Sequence, residues 1–77
     1  MTVEEAYKIA KTFDKTDLPL LSCVEYDNAF SFYFGTGKEV GLPCVEIIKS
    51  SGKASYSFWW NRTGKESFKV IDIEAIT

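Results

Sequence analysis

The sequence predicts an α+β fold: an N-terminal helix packed on one face of a four- to five-stranded antiparallel β-meander. Three observations carry this prediction. Phe30-Ser31-Phe32-Tyr33-Phe34 alternates with a period of two, which sends its phenylalanines to one side of a strand. The same alternation returns in Val45-Glu46-Ile47 and Tyr56-Ser57-Phe58. Ahead of these runs, Val3, Ala6, Tyr7, Ala10 and Phe13 recur at helical spacing and make one apolar stripe.

The helix is expected over about residues 2–13. Thr2 followed by Glu5 has the form of a capping box, in which each side chain satisfies an orphan backbone N–H of the first turn. Asp14 to Asp17 is a polar exit, and Pro19 prevents the pattern from continuing. A hairpin follows. Asp27-Asn28 is a good two-residue turn because both residue types tolerate positive φ. Centring on it pairs Glu25 with Phe30, Cys23 with Phe32 and Leu21 with Phe34, all on the core face.

Gly35 to Gly41 reads as a loop, and Pro43 opens the third strand. A second turn at Ser51-Gly52 sets Val45 against Phe58 and Ile47 against Tyr56. A third at Thr63-Gly64 leads to a strand over about residues 68–73, bringing Tyr56 to Ile71 and Trp59 to Phe68. The segment Asp72 to Thr77 also admits a frayed helix. The Phe30-Phe32-Phe34 face needs an apolar partner, and the amphipathic helix is the element able to supply it.

Seventy-seven residues make one domain, and 45% hydrophobic with 16% aromatic content supports a dense core. Nine basic against eleven acidic residues give a net charge of −2, which argues against the basic footprint of a nucleic-acid binder. The segment after Met1 lacks the basic-then-apolar run of a signal peptide, and no apolar stretch is long enough to span a membrane. The expected setting is cytoplasmic. Cys23 and Cys44 are then free thiols, Cys23 inward and Cys44 outward.

No catalytic, cofactor or metal residue is assigned. The chain contains no histidine, so the commonest general base is missing and neither cysteine has an activating partner. Asp14/Asp17 and Glu4/Glu5 are carboxylate pairs by spacing, of the sort that caps or solvates a helix end. Gly35-Thr36-Gly37-Lys38 is too short for a phosphate-binding loop and lacks the Lys-Ser/Thr ending. Phe58-Trp59-Trp60, near Lys53, Arg62, Lys65 and Lys69, has some features of a stacking platform for single-stranded nucleic acid. Glu46, Glu66, Asp72 and Glu74 dilute that basic character.

The face away from the helix is expected to carry Val24, Tyr33, Cys44, Ile48, Trp59, Phe68 and Val70 among Ser22, Ser31, Ser55, Ser57 and Glu46. Contiguous apolar residues with Trp and Tyr among them mark an interface. Tyr33, Ile48, Trp59, Phe68 and Val70 are therefore the candidate partner-binding residues. The occupant is another protein or a second copy of the chain.

The capped helix, the Phe-rich hairpin and the run Gly41-Leu42-Pro43-Cys44-Val45-Glu46-Ile47-Ile48-Lys49-Ser50-Ser51-Gly52-Lys53 resemble small bacterial immunity-type domains of the immunity protein 35 grouping. PepSY-like modules carry a similar strand–turn–strand. The resemblance spans about residues 1–60, and the tail from Asn61 has no counterpart in it. It implies a helix-plus-sheet fold and a non-catalytic, immunity- or inhibitor-like protein-binding role, and it carries over no functional residue.

Overall fold

The computed structural model describes residues 1–39, 41–58 and 68–76. Helix α1 (Val3–Phe13) is followed by strands β1 (Leu20–Tyr26), β2 (Ala29–Phe34), β3 (Cys44–Ile48), β4 (Ala54–Ser57) and β5 (Phe68–Ile71), and by a 3-10 turn at Ile73–Ala75. The capping box forms: Glu5 N–H donates to Thr2 Oγ1 at 3.2 Å and Thr2 N–H to Glu5 Oε1 at 2.9 Å. Glu5's carboxyl is held below its ordinary value chiefly by the Thr2 backbone N–H. At the other end the Asp14 N–H closes the last turn on the Ala10 carbonyl, and Asp14 itself is already extended.

The strands form one antiparallel sheet in the order β4-β3-β2-β1-β5. Two cross-strand rows face the helix. Tyr56, Val45, Phe32, Cys23 and Ile71 make one, and Ala54, Ile47, Phe30, Glu25 and Lys69 the other. Helix α1 lies over this side, with Ala6 and Ala10 fully buried against it. Tyr7 reaches Phe32 and Phe34 at ring separations of 5.9 and 6.4 Å, and Phe13 meets Tyr56 at 4.8 Å. The small alanines let the helix approach closely, and its aromatic residues fill the flanks. Phe32 lies at the centre, 0% exposed.

Four expectations need correction. Leu21 does not share the core face: a bulge between Leu20 and Ser22 gives Leu20 the place opposite Phe34 and leaves Leu21 48% exposed. Two adjacent residues cannot both point inward from a regular strand, so the Leu20-Leu21 pair forces the irregularity. The Asp27-Asn28 turn is where expected but uses no positive φ. Among the described non-glycine residues only Asp17 has one, at 62°.

The β3–β4 register is shifted by two residues, with Val45 opposite Tyr56 and Ile47 opposite Ala54. A two-residue turn at Ser51-Gly52 would demand positive φ from Ser51. The chain instead makes a longer turn in which Gly52, at φ 71°, donates to the Ile48 carbonyl at 2.7 Å and Ile48 donates to Lys53 at 3.0 Å. An even shift keeps every side chain on its face.

The last strand continues the antiparallel sheet at its opposite edge, beside β1, so Tyr56 does not meet Ile71. β1 offers matching partners row by row: Cys23 for Ile71, Val24 for Val70, Tyr26 for Phe68 and the opposite charge Glu25 for Lys69. The outer face of β4 would have offered Ser55 and Ser57. Phe58 is half-buried beyond the end of β4, not a β3 partner. Both tail readings hold in part, since Ile71 ends the strand and Ile73 begins a helical turn.

Candidate functional site

The alternation that turns Phe30, Phe32 and Phe34 toward the helix turns the neighbouring residues to the opposite face. A complete row there runs Ser55, Glu46, Ser31, Val24 and Val70 across all five strands. Beside it, Ile48 pairs with Ala29 and Tyr26 with Phe68, while on the other side Cys44 pairs with Ser57 and Ser22 with Tyr33. The candidate residues Tyr33, Ile48, Phe68 and Val70 therefore share one face. Trp59, the fifth, lies outside the described residues, as does Trp60.

The face is not evenly exposed. Its centre is closed: Ser31 is 2% exposed, and Ala29, Cys44 and Tyr26 are buried with it. Tyr33 and Ile48 are half-buried. Exposed apolar surface concentrates on β5, where Phe68 and Val70 are 65% and 66% exposed. Phe68 packs its ring 6.4 Å from that of Tyr26, and Val70 stands beside half-buried Val24. These four residues form a strip along the β1–β5 edge, with Ile48 at one end of the face and Tyr33 toward the other.

Two thiols and a phenol within the sheet favour their protonated forms. Burial, and then the Glu25 charge, pushes the Cys23 thiol up to about 12. Burial also raises Cys44, whose Sγ donates to the Ser57 carbonyl at 3.2 Å. The Tyr33 phenol is raised by burial first and by the neighbouring Cys44 and Tyr26 side chains after it. Both thiols are free and buried, as expected, Cys23 on the helix side and Cys44 on the outer face. A thiol kept protonated is a poor nucleophile.

The carboxylate pairs are engaged structurally. Asp14 accepts hydrogen bonds from Thr16 Oγ1 at 2.7 Å and Tyr56 Oη at 3.3 Å, and Glu5 serves the helix cap. In the Gly35–Gly41 segment, Glu39 turns back to accept from Thr36 N–H at 2.6 Å, closing the loop on itself. Among the described residues no cluster of acidic or cysteine side chains is arranged to hold a metal ion, and no helix is long and apolar enough to cross a membrane.

Tyr26 lies on the outer face that the hairpin alternation gives it, and it joins the strip because β5 pairs with β1 and brings Phe68 beside it. One feature escaped the sequence reading. The bulged Leu21 lines a hollow of about 260 Å³ with Tyr33, Phe34, Glu39, Leu42 and Pro43. The signal for the hollow was present: an apolar doublet directly before the alternating Ser22-Cys23-Val24 run marks a break in period. Comparisons with known protein families, with curated proteins and with solved structures return no match.

Proposed function

We propose that this chain is a non-catalytic protein-binding module, immunity- or inhibitor-like in its action, which captures its partner on the outer sheet face along β1 and β5. One observation carries the reading. Phe68 and Val70, about two-thirds exposed, stand side by side in register with Tyr26 and Val24, so a partner meets a preformed apolar strip rather than scattered residues. Burying two such side chains contributes about 1.5–3 kcal/mol each before the costs of association, enough to anchor a small interface. Two free thiols suit the reducing cytoplasm. The net charge of −2 favours a protein over a nucleic acid.

The test replaces both exposed residues. Phe68→Ser with Val70→Ser should leave the thermal melt within a few degrees of the parent and abolish retention of a specific protein from extracts of the source cell. Retention of the same protein by parent and variant, with both folded, would place the binding surface elsewhere.

A further inference from the structure

We propose that β5 is a docking edge for an extended segment of a different protein, and that Lys69 both selects that segment and prevents the edge from pairing with a second copy. The proposal rests on the reading of the β1–β5 strip as the working surface, and it specifies how that surface is used. Among the described residues β5 is the terminal strand of the sheet, beside β1. An edge strand of this kind presents backbone donors and acceptors to any extended chain that can align with it. Its four residues contain no proline, so their backbone can pair.

A second copy fits this edge poorly. Two β5 strands can pair antiparallel only about a twofold axis normal to the sheet, which requires opposed residues to lie on the same face. An axis at Lys69 sets Phe68 against the partner's Val70, the best apolar match, but places the two Lys69 side chains directly opposite each other. Like charges so placed are destabilising. Moving the axis to Val70 opposes Phe68 with Asp72, and moving it to Ile71 opposes Val70 with Asp72 and Lys69 with Ile73. Each of these three registers therefore sets charge against charge or charge against apolar surface.

A heterologous strand escapes these conflicts. Opposite Phe68 and Val70 it can offer apolar side chains on the outer face, and between them an acidic one opposite Lys69 on the helix side. Glu25, across from Lys69 on β1, is already held by Lys49 in a 2.7 Å ion pair. The Lys49 ammonium also lies 4.9 Å above the Phe30 ring, which fixes it over the sheet. Among the described residues one strand carboxylate thus faces two lysines, and exposed Lys69 can recruit another; Asp27, the other described acid lining this end, projects from the exposed β1–β2 turn. The chemistry selects an extended apolar–acidic–apolar segment.

The full chain tests this with two blocked peptides, Thr-Val-Glu-Val-Thr and its counterpart with lysine for glutamate, followed by amide shifts. The acidic peptide should perturb amides of β5 and β1 and bind at least tenfold more tightly than the lysine peptide. Lys69→Glu should reverse that preference. The parent should sediment as a monomer, whereas Lys69→Val, which frees the Phe68–Val70 register, should sediment as a dimer. A parent that is already dimeric through β5 would make the second copy the occupant and overturn the proposal. So would equal affinity for the two peptides, no binding of either, or a Lys69→Val variant that stays monomeric. Loss of the natural partner in Phe68→Ser/Val70→Ser alongside such results would leave the strip as a binding surface and remove only its use as a strand-docking edge.

Discussion

The bulge in β1 makes a prediction of sign as well as size. Leu20 sits opposite Phe34 and packs against the core, while Leu21 is displaced outward and 48% exposed. A fully buried leucine truncated to alanine loses about 2–5 kcal/mol. Leu20 is half-buried, so Leu20→Ala should cost about 1–2 kcal/mol, in proportion to the surface it hides. Leu21→Ala removes a side chain that leans on one wall of an open hollow and should cost about 0.5 kcal/mol or less. For a domain of this length 1 kcal/mol corresponds to roughly 6 °C in melting temperature, so the two variants should separate by about that much. Urea melts give the same comparison through the midpoint, with the slope unchanged. A regular hairpin without the bulge predicts the reverse order, with Leu21 as the core residue. Finding Leu21→Ala to be the more damaging change would refute the bulge and the face assignment of everything before Ser22.

Phe32→Ala, at the fully buried centre of the sheet against Tyr7 and Phe30, should cost about 3–5 kcal/mol in denaturant melts, a large part of the total stability of so short a chain. Gly52→Ala should destabilise by about 1–2 kcal/mol, because its φ of 71° suits glycine and an added Cβ would come within 3.3 Å of Met1 Cε; a neutral melt would show that the turn takes another form. Stability should also fall in alkali. The folded-state pKa of Cys23 is raised from 9.0 to about 12, and that of Tyr33 is raised from 10.0, so the protonated forms are favoured by folding. The contribution is complete below pH 9 and is lost as pH rises toward 12, so melting temperature should hold through neutrality and decline above that point, with a shallower decline in Cys23→Ala.

How far the fold could be read from the residues depended on how local the deciding interaction was. The capping box, the helical stripe and the Phe30-Phe32-Phe34 alternation are settled within a few residues, and each appears as expected. The Cys23–Phe32 and Glu25–Phe30 pairs follow from one short turn, and they too are present. The errors lie where a longer-range competition decides. The longer turn and the two-residue turn preserve the same faces, so pattern alone could not distinguish the two β3–β4 registers. The Thr63-Gly64 turn, which lies outside the described residues, pointed the last strand to β4, whereas β5 pairs with Val24, Tyr26 and Glu25, more than forty residues earlier in the chain. The candidate face was legible as a face. Its uneven exposure was not, since Phe68 and Val70 stand exposed at the sheet edge only because β5 lies beside β1.

The position of β5 also bears on how the protein is made. The first four strands pair with their neighbours in sequence, and the helix packs across β2, β3 and β4, so this part can assemble as the chain leaves the ribosome. The free side of β1 stays bare until its partner arrives from about fifty residues downstream, a loop whose closure is entropically costly and slow compared with the local hairpins. Until β5 has been synthesised, Val24 and Tyr26 belong to an open strand on the nascent chain. A ribosome that stalls or a message cut short before Ile71 would release a polypeptide with a nearly complete core and an unguarded edge. Quality control would meet that product as an aggregation-prone near-native species rather than an unfolded one.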